Sequence, residues 1–150
     1  MKIGIIGSGN IGVTIAHLFA KAGHQVKISN SRGPVSLKAL VKSIGCNNVT
    51  AATPERAVRF AQVVLLAIPW RKKHELPASD LFKGKIVIDA MNTYSENFEV
   101  IDPGNSTSSE EVRKQLHSAR FVKAFNTMNY EMLHTGGRNS GDERLVLFVA

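Results

Sequence analysis

The chain has 150 residues, 43% of them hydrophobic, enough for one sizeable core and too many for a disordered chain. Its 19 Lys and Arg against 12 Asp and Glu leave a formal charge of +7, and the single cysteine, Cys46, excludes an intrachain disulfide. The longest apolar stretch, residues 63–69, is far shorter than the about 20 residues a membrane helix needs, and residues 1–6 lack the apolar segment and cleavage site of a secretory signal. A cytoplasmic protein is expected, with no membrane partner; a disulfide scaffold and a zinc–cysteine domain are excluded.

Lys2–Ile6 reads as a buried strand. Residues 10–22 read as a helix with Ile11, Ile15, Leu18 and Ala22 on one face and Gly23 placed to stop it. A strand over Gln25–Ser29 follows, then a helix over 36–44 ended by Gly45, and a short strand over Val49–Ala52. Thr53-Pro54-Glu55 supplies a cap and a first-turn proline for a helix to about Ala61. Residues 62–68 and 85–90 are strongly apolar strands. Residues 108–117 form a helix opening with Ser108-x-x-Glu111, a capping-box pattern. Strands over 120–125 and 145–150 close the chain, with a short helix near 129–134 between them. Two long polar loops, 93–107 and 135–144, have the composition of covers at a sheet edge. Alternating strands and helices imply right-handed crossovers and a doubly wound, mostly parallel α/β sheet in three layers.

Charge is unevenly spread. Residues 1–54 contain no Asp or Glu, yet carry Lys2, Lys21, Lys27, Arg32, Lys38 and Lys42. These cations are scattered and no aromatic residues interleave with them, which argues against nucleic acid and for a compact anionic ligand. Gly7-Ser8-Gly9-Asn10-Ile11-Gly12 matches G-x-G-x-x-G, leaves a strand and opens a helix. There Gly7 makes the tight turn, Gly9 lets the backbone approach a pyrophosphate, and Gly12 lets helix and strand pack closely. The helix N-terminus offers its unpaired N–H groups to the phosphates. The pattern predicts a dinucleotide site.

An NAD site places Asp or Glu at the end of the second strand, on the ribose 2′-hydroxyl. This chain has Ser29-Asn30-Ser31-Arg32 there. Arg32 suits a 2′-phosphate, with Ser31 and Asn30 donating hydrogen bonds, so NADP(H) is expected over NAD(H).

The first ten residues, together with Ser29–Pro34, Ala67-Ile68-Pro69-Trp70 and Lys123-Ala124-Phe125-Asn126-Thr127, resemble the coenzyme F420-dependent NADP oxidoreductase family, whose fold is similar to the N-terminal domain of pyrroline-5-carboxylate reductases. The resemblance implies a single NADP-binding Rossmann domain over residues 1–150. It implies Ser8, Asn10 and Ile11 at the pyrophosphate, Ser31 and Arg32 at the 2′-phosphate, and Ile68, Pro69 and the region from Ala90 to Asn92 beside the nicotinamide ribose and ring. Family members continue past the strand matching 145–150 with a segment that helps enclose the second substrate, and that segment is missing from this sequence.

Trp70 either flanks a bound ring or plugs the core beneath its loop. The run Arg71-Lys72-Lys73-His74 either draws in an anionic substrate or is a solvated face. Asn92 and Asn126 follow strand ends and either bond the cofactor or satisfy local backbone. The five histidines show no metal spacing, and no metal site is proposed; His74 and His134 are the proton-donor candidates. Hydride transfer needs positioning more than an acid or base, so the lack of a catalytic constellation is compatible with an oxidoreductase. The reading is an oxidoreductase exchanging hydride between NADPH and a small-molecule redox partner, by resemblance a deazaflavin (F420) or a flavin. Its alternatives are a reductase of a small imine or carbonyl, and an NADP-binding module without turnover. A homodimer is expected, because an apolar last strand needs cover.

Overall fold

A strand buried on both faces has no side to show water, and the central strands have that character. All four residues of Val63–Leu66 are apolar and buried. The computed structural model describes residues 1–135 and 146–150. In chain order its elements are β1 (Lys2–Ile6), α1 (Asn10–Lys21), β2 (Gln25–Ser29), α2 (Lys38–Ile44), β3 (Val49–Ala52), α3 (Pro54–Phe60), β4 (Val63–Leu66), β5 (Ile86–Asp89), α4 (Ser108–Gln115), β6 (Arg120–Lys123) and α5 (Tyr130–His134). The six strands form one parallel sheet in the order β3-β2-β1-β4-β5-β6. This is the doubly wound Rossmann arrangement, and its strand order reverses at β1, where ligands of such sheets bind.

The register aligns side chains in rows across the sheet. Ile28, Ile5, Leu65 and Ile88 stand side by side and face α1 and α2 in one core. One residue on, Ile6 and Leu66 point to the opposite core beneath α3 and α4. Ile5, Ile28, Leu65 and Leu66 are completely buried, and truncating any of them to Ala costs about 2–5 kcal/mol. That second row ends in Ser29, Ile6, Leu66, Asp89 and Lys123, the last residues of their strands. It forms the floor of the carboxyl edge.

Several elements differ from expectation. The helix expected from residue 36 begins as a 3-10 turn, Pro34–Leu37, before α2. The basic run after β4 lies on a 3-10 helix, Trp70–Glu75, and a second such turn spans Ser79–Phe82. The capping box of α4 uses Thr107 and Glu110 in place of Ser108 and Glu111. Both pairs fit the pattern, and the structure takes the earlier one, which leaves the hydroxyl of Ser108 free for another partner.

The strand expected over 145–150 is also revised. Leu145 lies outside the described residues, and in 146–150 only Val149 forms a bridge, antiparallel to Ala124. The edge of β6 accepts this segment through two hydrogen bonds between Lys123 and Ala150. Among the described residues no helix covers Val146 or Phe148, each 68% exposed. The loop expected over 135–144 lies outside the described residues beyond Thr135. No helix among the described residues is long and apolar enough to cross a membrane.

Candidate functional site

The glycine loop is shaped by two close approaches. Gly7 has φ +117°, and a Cβ there would lie 2.2 Å from the Ala67 carbonyl oxygen. A Cβ on Gly12 would lie 2.2 Å from the Gly7 carbonyl oxygen. Neither position tolerates a side chain without moving backbone. Gly9 is different: its φ of −76° suits any residue, and a Cβ there would meet nothing within 4 Å. The protein itself makes no use of that missing side chain, and the space beside Gly9 is open. Gly9 is also the N-cap of α1, where no side chain caps the helix and its first turn holds no acid. The helix therefore presents bare N–H groups and the positive end of its dipole.

A cleft of about 600 Å³ runs across the carboxyl edge over this loop. It brings together Gly7, Ser8, Gly9, Asn30, Ser31, Ile68 and Pro69 from the sequence prediction. Asn10 is exposed at the head of α1, while Ile11 packs against the first core and Gly12 is buried behind the loop. Arg32 is exposed just beyond the cleft lining, and no ion pair among the described residues involves it. Ala90 is 8% exposed in the first core, and neither it nor Asn92 lines this cleft.

Asn30 is turned inward. Its amide donates to Ser8 Oγ at 3.3 Å and Ser36 Oγ at 3.0 Å, while its Oδ1 accepts from the Arg32 N–H at 3.0 Å. Both polar ends are engaged within the protein, so the residue fastens the β2 loop to the glycine loop. Asn92 and Asn126 also meet each other: Asn92 Nδ2 donates to the Asn126 carbonyl at 2.9 Å and Asn126 Nδ2 to Asn92 Oδ1 at 3.4 Å. They join the loops following β5 and β6. Beside them Phe125 has φ +66°, an uncommon conformation for a bulky residue, while its ring stands edge-on to Phe19.

Trp70 resolves in favour of the plug. It is 7% exposed in the second core, its Nε1 donates to the Ser108 carbonyl at 2.9 Å, and Lys73 Nζ lies 3.5 Å over its ring. Of the basic run, Lys72 alone lines the cleft, paired at 3.2 Å with Glu75, while Arg71 pairs with Glu96 at 3.3 Å. His134 lies in a second and more apolar pocket of about 630 Å³ between α1 and α5, which shares Ser8 and Gly9 with the cleft, and its ring stacks on His17 at 5.8 Å. Among the described residues no three His, Cys, Asp or Glu side chains group closely enough to hold a metal ion. Cys46 is half-buried against the first core.

Sequence reasoning did not place Thr53, Pro54, Glu55 or Glu75 at the cleft. The first three belong to the cap and first turn of α3, and the turn after β3 necessarily opens at the same sheet edge. Glu55 sits beyond β3, not at the end of β2 where a ribose-binding carboxylate belongs. Asp89 and Lys123 were missed as well; they pair at 3.1 Å on the edge's floor.

The profile of the family described as NADP oxidoreductase, coenzyme F420-dependent, matches residues 2–93. The chain belongs to this family. It is an NADP-dependent oxidoreductase by that membership. Among solved structures, a hypothetical protein from Sinorhizobium meliloti is 33% identical, with 99% of this chain and 72% of that one covered at a TM-score of 0.83. A candidate F420-dependent NADP-reductase from Arthrobacter sp. FB24 is 24% identical, with 100% of this chain and 73% of that one covered, again at 0.83. An imine reductase from Myxococcus stipitatus, solved with NADP⁺, is 13% identical over 88% of this chain and 43% of its own, at a TM-score of 0.64. That last likeness is one of fold alone. No curated protein matches the chain.

Proposed function

We propose that the cleft holds NADPH across the carboxyl edge of the sheet and that the protein exchanges hydride between it and a deazaflavin or flavin. The observation that carries this reading is the open space at Gly9, set against an uncapped helix N-terminus with no acid in its first turn. A pyrophosphate fits that combination in charge and in shape. Ser8, Gly9 and the first N–H groups of α1 would hold it. Asn30 positions the loop instead of bonding the cofactor, and Arg32 with Ser31 would receive the 2′-phosphate. Among the described residues Arg32 has no ion pair to leave, and charge-assisted bonds to phosphate are the strong class.

Ile68 and Pro69 would flank the nicotinamide ribose, with the Ala90–Met91–Asn92 turn beyond them. When bound, the nicotinamide supplies a hydride from C4, and the second partner accepts it and takes any proton from solvent. What the chain contributes is orientation and exclusion of water from an apolar edge, the form of catalysis a hydride transfer requires. The exposed apolar edge at Val146, Phe148 and Val149 suits cover by a second copy.

Calorimetric titration with NADPH and then NADH tests the cofactor assignment, with the emission of the bound dihydronicotinamide as second readout. Saturable binding with strong preference for NADPH is expected, and NADPH oxidation on adding oxidised F420 or FMN follows. Equal affinity for the two nucleotides would remove the Arg32 assignment, and no binding would remove the site.

A further inference from the structure

We propose that Asp89 and Lys123 are positioning residues that fix the Met91–Asn92 turn beneath the nicotinamide. This rests on the cofactor reading above. The two are register partners at the ends of β5 and β6, and Asp89 is completely buried. Asp89 Oδ1 accepts the Met91 N–H at 2.9 Å. Its Oδ2 accepts from Ser109 Oγ at 2.6 Å and from Lys123 Nζ at 3.1 Å. Lys123 Nζ donates as well to the Met91 carbonyl and, at 3.4 Å, to Ser108 Oγ. The three protons of the ammonium thus match three acceptors.

The consequence is specific to one peptide. Met91 is held at its N–H by the acid and at its C=O by the base. The neighbouring Asn92 is pinned by Asn126. An apolar pair at the same register would serve stability as well as a buried ion pair does. An apolar pair has no means of gripping a main-chain amide and carbonyl. The ends of β5 and β6, the start of α4 through Ser108 and Ser109, and the turn after β5 therefore move as one body. A site whose chemistry consists of placing a ring depends on such rigidity.

The test compares Lys123→Met with the wild-type chain for two ligands, NADPH and 2′,5′-ADP, which lacks the nicotinamide half. The expected result is an NADPH Kd raised about tenfold and a 2′,5′-ADP Kd within about twofold of wild type, with reduced emission from bound dihydronicotinamide. Equal losses for both ligands, or no loss for either, overturn the positioning role. Should Lys123→Met not fold because it strands a buried carboxylate, Asp89→Asn/Lys123→Met removes both charges and carries the same expectation. A double variant that binds NADPH like wild type overturns the proposal. A wild-type chain that binds neither ligand overturns the cofactor reading itself, a separate outcome from any differential between the two ligands.

Discussion

Asn30 donates to Ser8 across 3.3 Å, and through this one bond the loop after β2 is fastened to the glycine loop. Asn30 is 9% exposed and its side chain also holds Ser36 and the Arg32 N–H. One residue therefore orients both candidate phosphate-binding segments. Asn30→Ala is expected to weaken both nucleotides through the pyrophosphate loop, and NADPH more than NADH because the Arg32 segment loosens with it. Lost hydrogen bonds of this kind are each worth about 0.5–1.5 kcal/mol. Calorimetry with both nucleotides checks this. A loss confined to NADPH would mean that Asn30 serves the 2′-phosphate directly.

Arg32 makes the contrasting prediction. Its side chain is exposed and makes no ion pair with the described residues, so Arg32→Ala leaves stability unchanged in thermal melts. NADPH affinity should fall about ten- to a hundredfold, the range for charged hydrogen bonds at about 1.5–3 kcal/mol. NADH affinity should stay where it was. An unaltered ratio between the two nucleotides would assign the 2′-phosphate to another residue.

What could be read from the sequence was whatever is local in the chain. Gly7, Gly9 and Gly12 sit within one turn, and the alternation of apolar runs with capped helices gave the parallel sheet. Trp70 could not be settled in that way, because its partners Ser108 and Lys73 include one 38 residues away. Asp89 and Lys123 are 34 residues apart and meet only through strand register. The inward turn of Asn30 is likewise a matter of three-dimensional partners, one of them 22 residues off. The α4 cap shows a local ambiguity: Thr107-x-x-Glu110 and Ser108-x-x-Glu111 both fit the pattern, and in the structure Thr107 caps while the Ser108 hydroxyl accepts from Lys123, 15 residues away.

Two of the loop glycines, Gly12 and Gly9, should separate by substitution. Gly12→Ala drives a Cβ to 2.2 Å from the Gly7 carbonyl oxygen, and overpacking of this sort costs about 1–3 kcal/mol. Gly9→Ala meets nothing within 4 Å and keeps an ordinary φ. It should melt well above Gly12→Ala, losing only the modest N-cap preference of Gly over Ala, while losing about tenfold or more in NADPH affinity. Thermal melts beside nucleotide titrations decide the matter. A Gly9→Ala protein that binds NADPH normally would leave the open space there without a ligand.

The acid limb of stability should carry the signature of the α4 cap. Glu110 Oε2 accepts from the Thr107 N–H at 2.7 Å, and the Glu110 N–H donates to Thr107 Oγ1 at 3.2 Å. The Thr107 backbone bond first, then its side chain and the Ser106 hydroxyl, hold the Glu110 carboxyl below the usual carboxylate range. A carboxylate lowered in the folded state stabilises only while ionised. Its contribution is complete above the ordinary unfolded value of about 4.3 and disappears as pH falls through the lower folded value. Wild-type melting temperature should therefore drop more steeply below about pH 4 than that of Glu110→Gln, which starts lower at neutral pH. Amide exchange at the first turn of α4 should accelerate over the same interval, because the carboxylate closes that turn. Superimposed acid limbs for the two proteins would show that the cap contributes nothing by its charge, and Ser108 and Ser109 would then owe their placement to Asp89 and Lys123 alone.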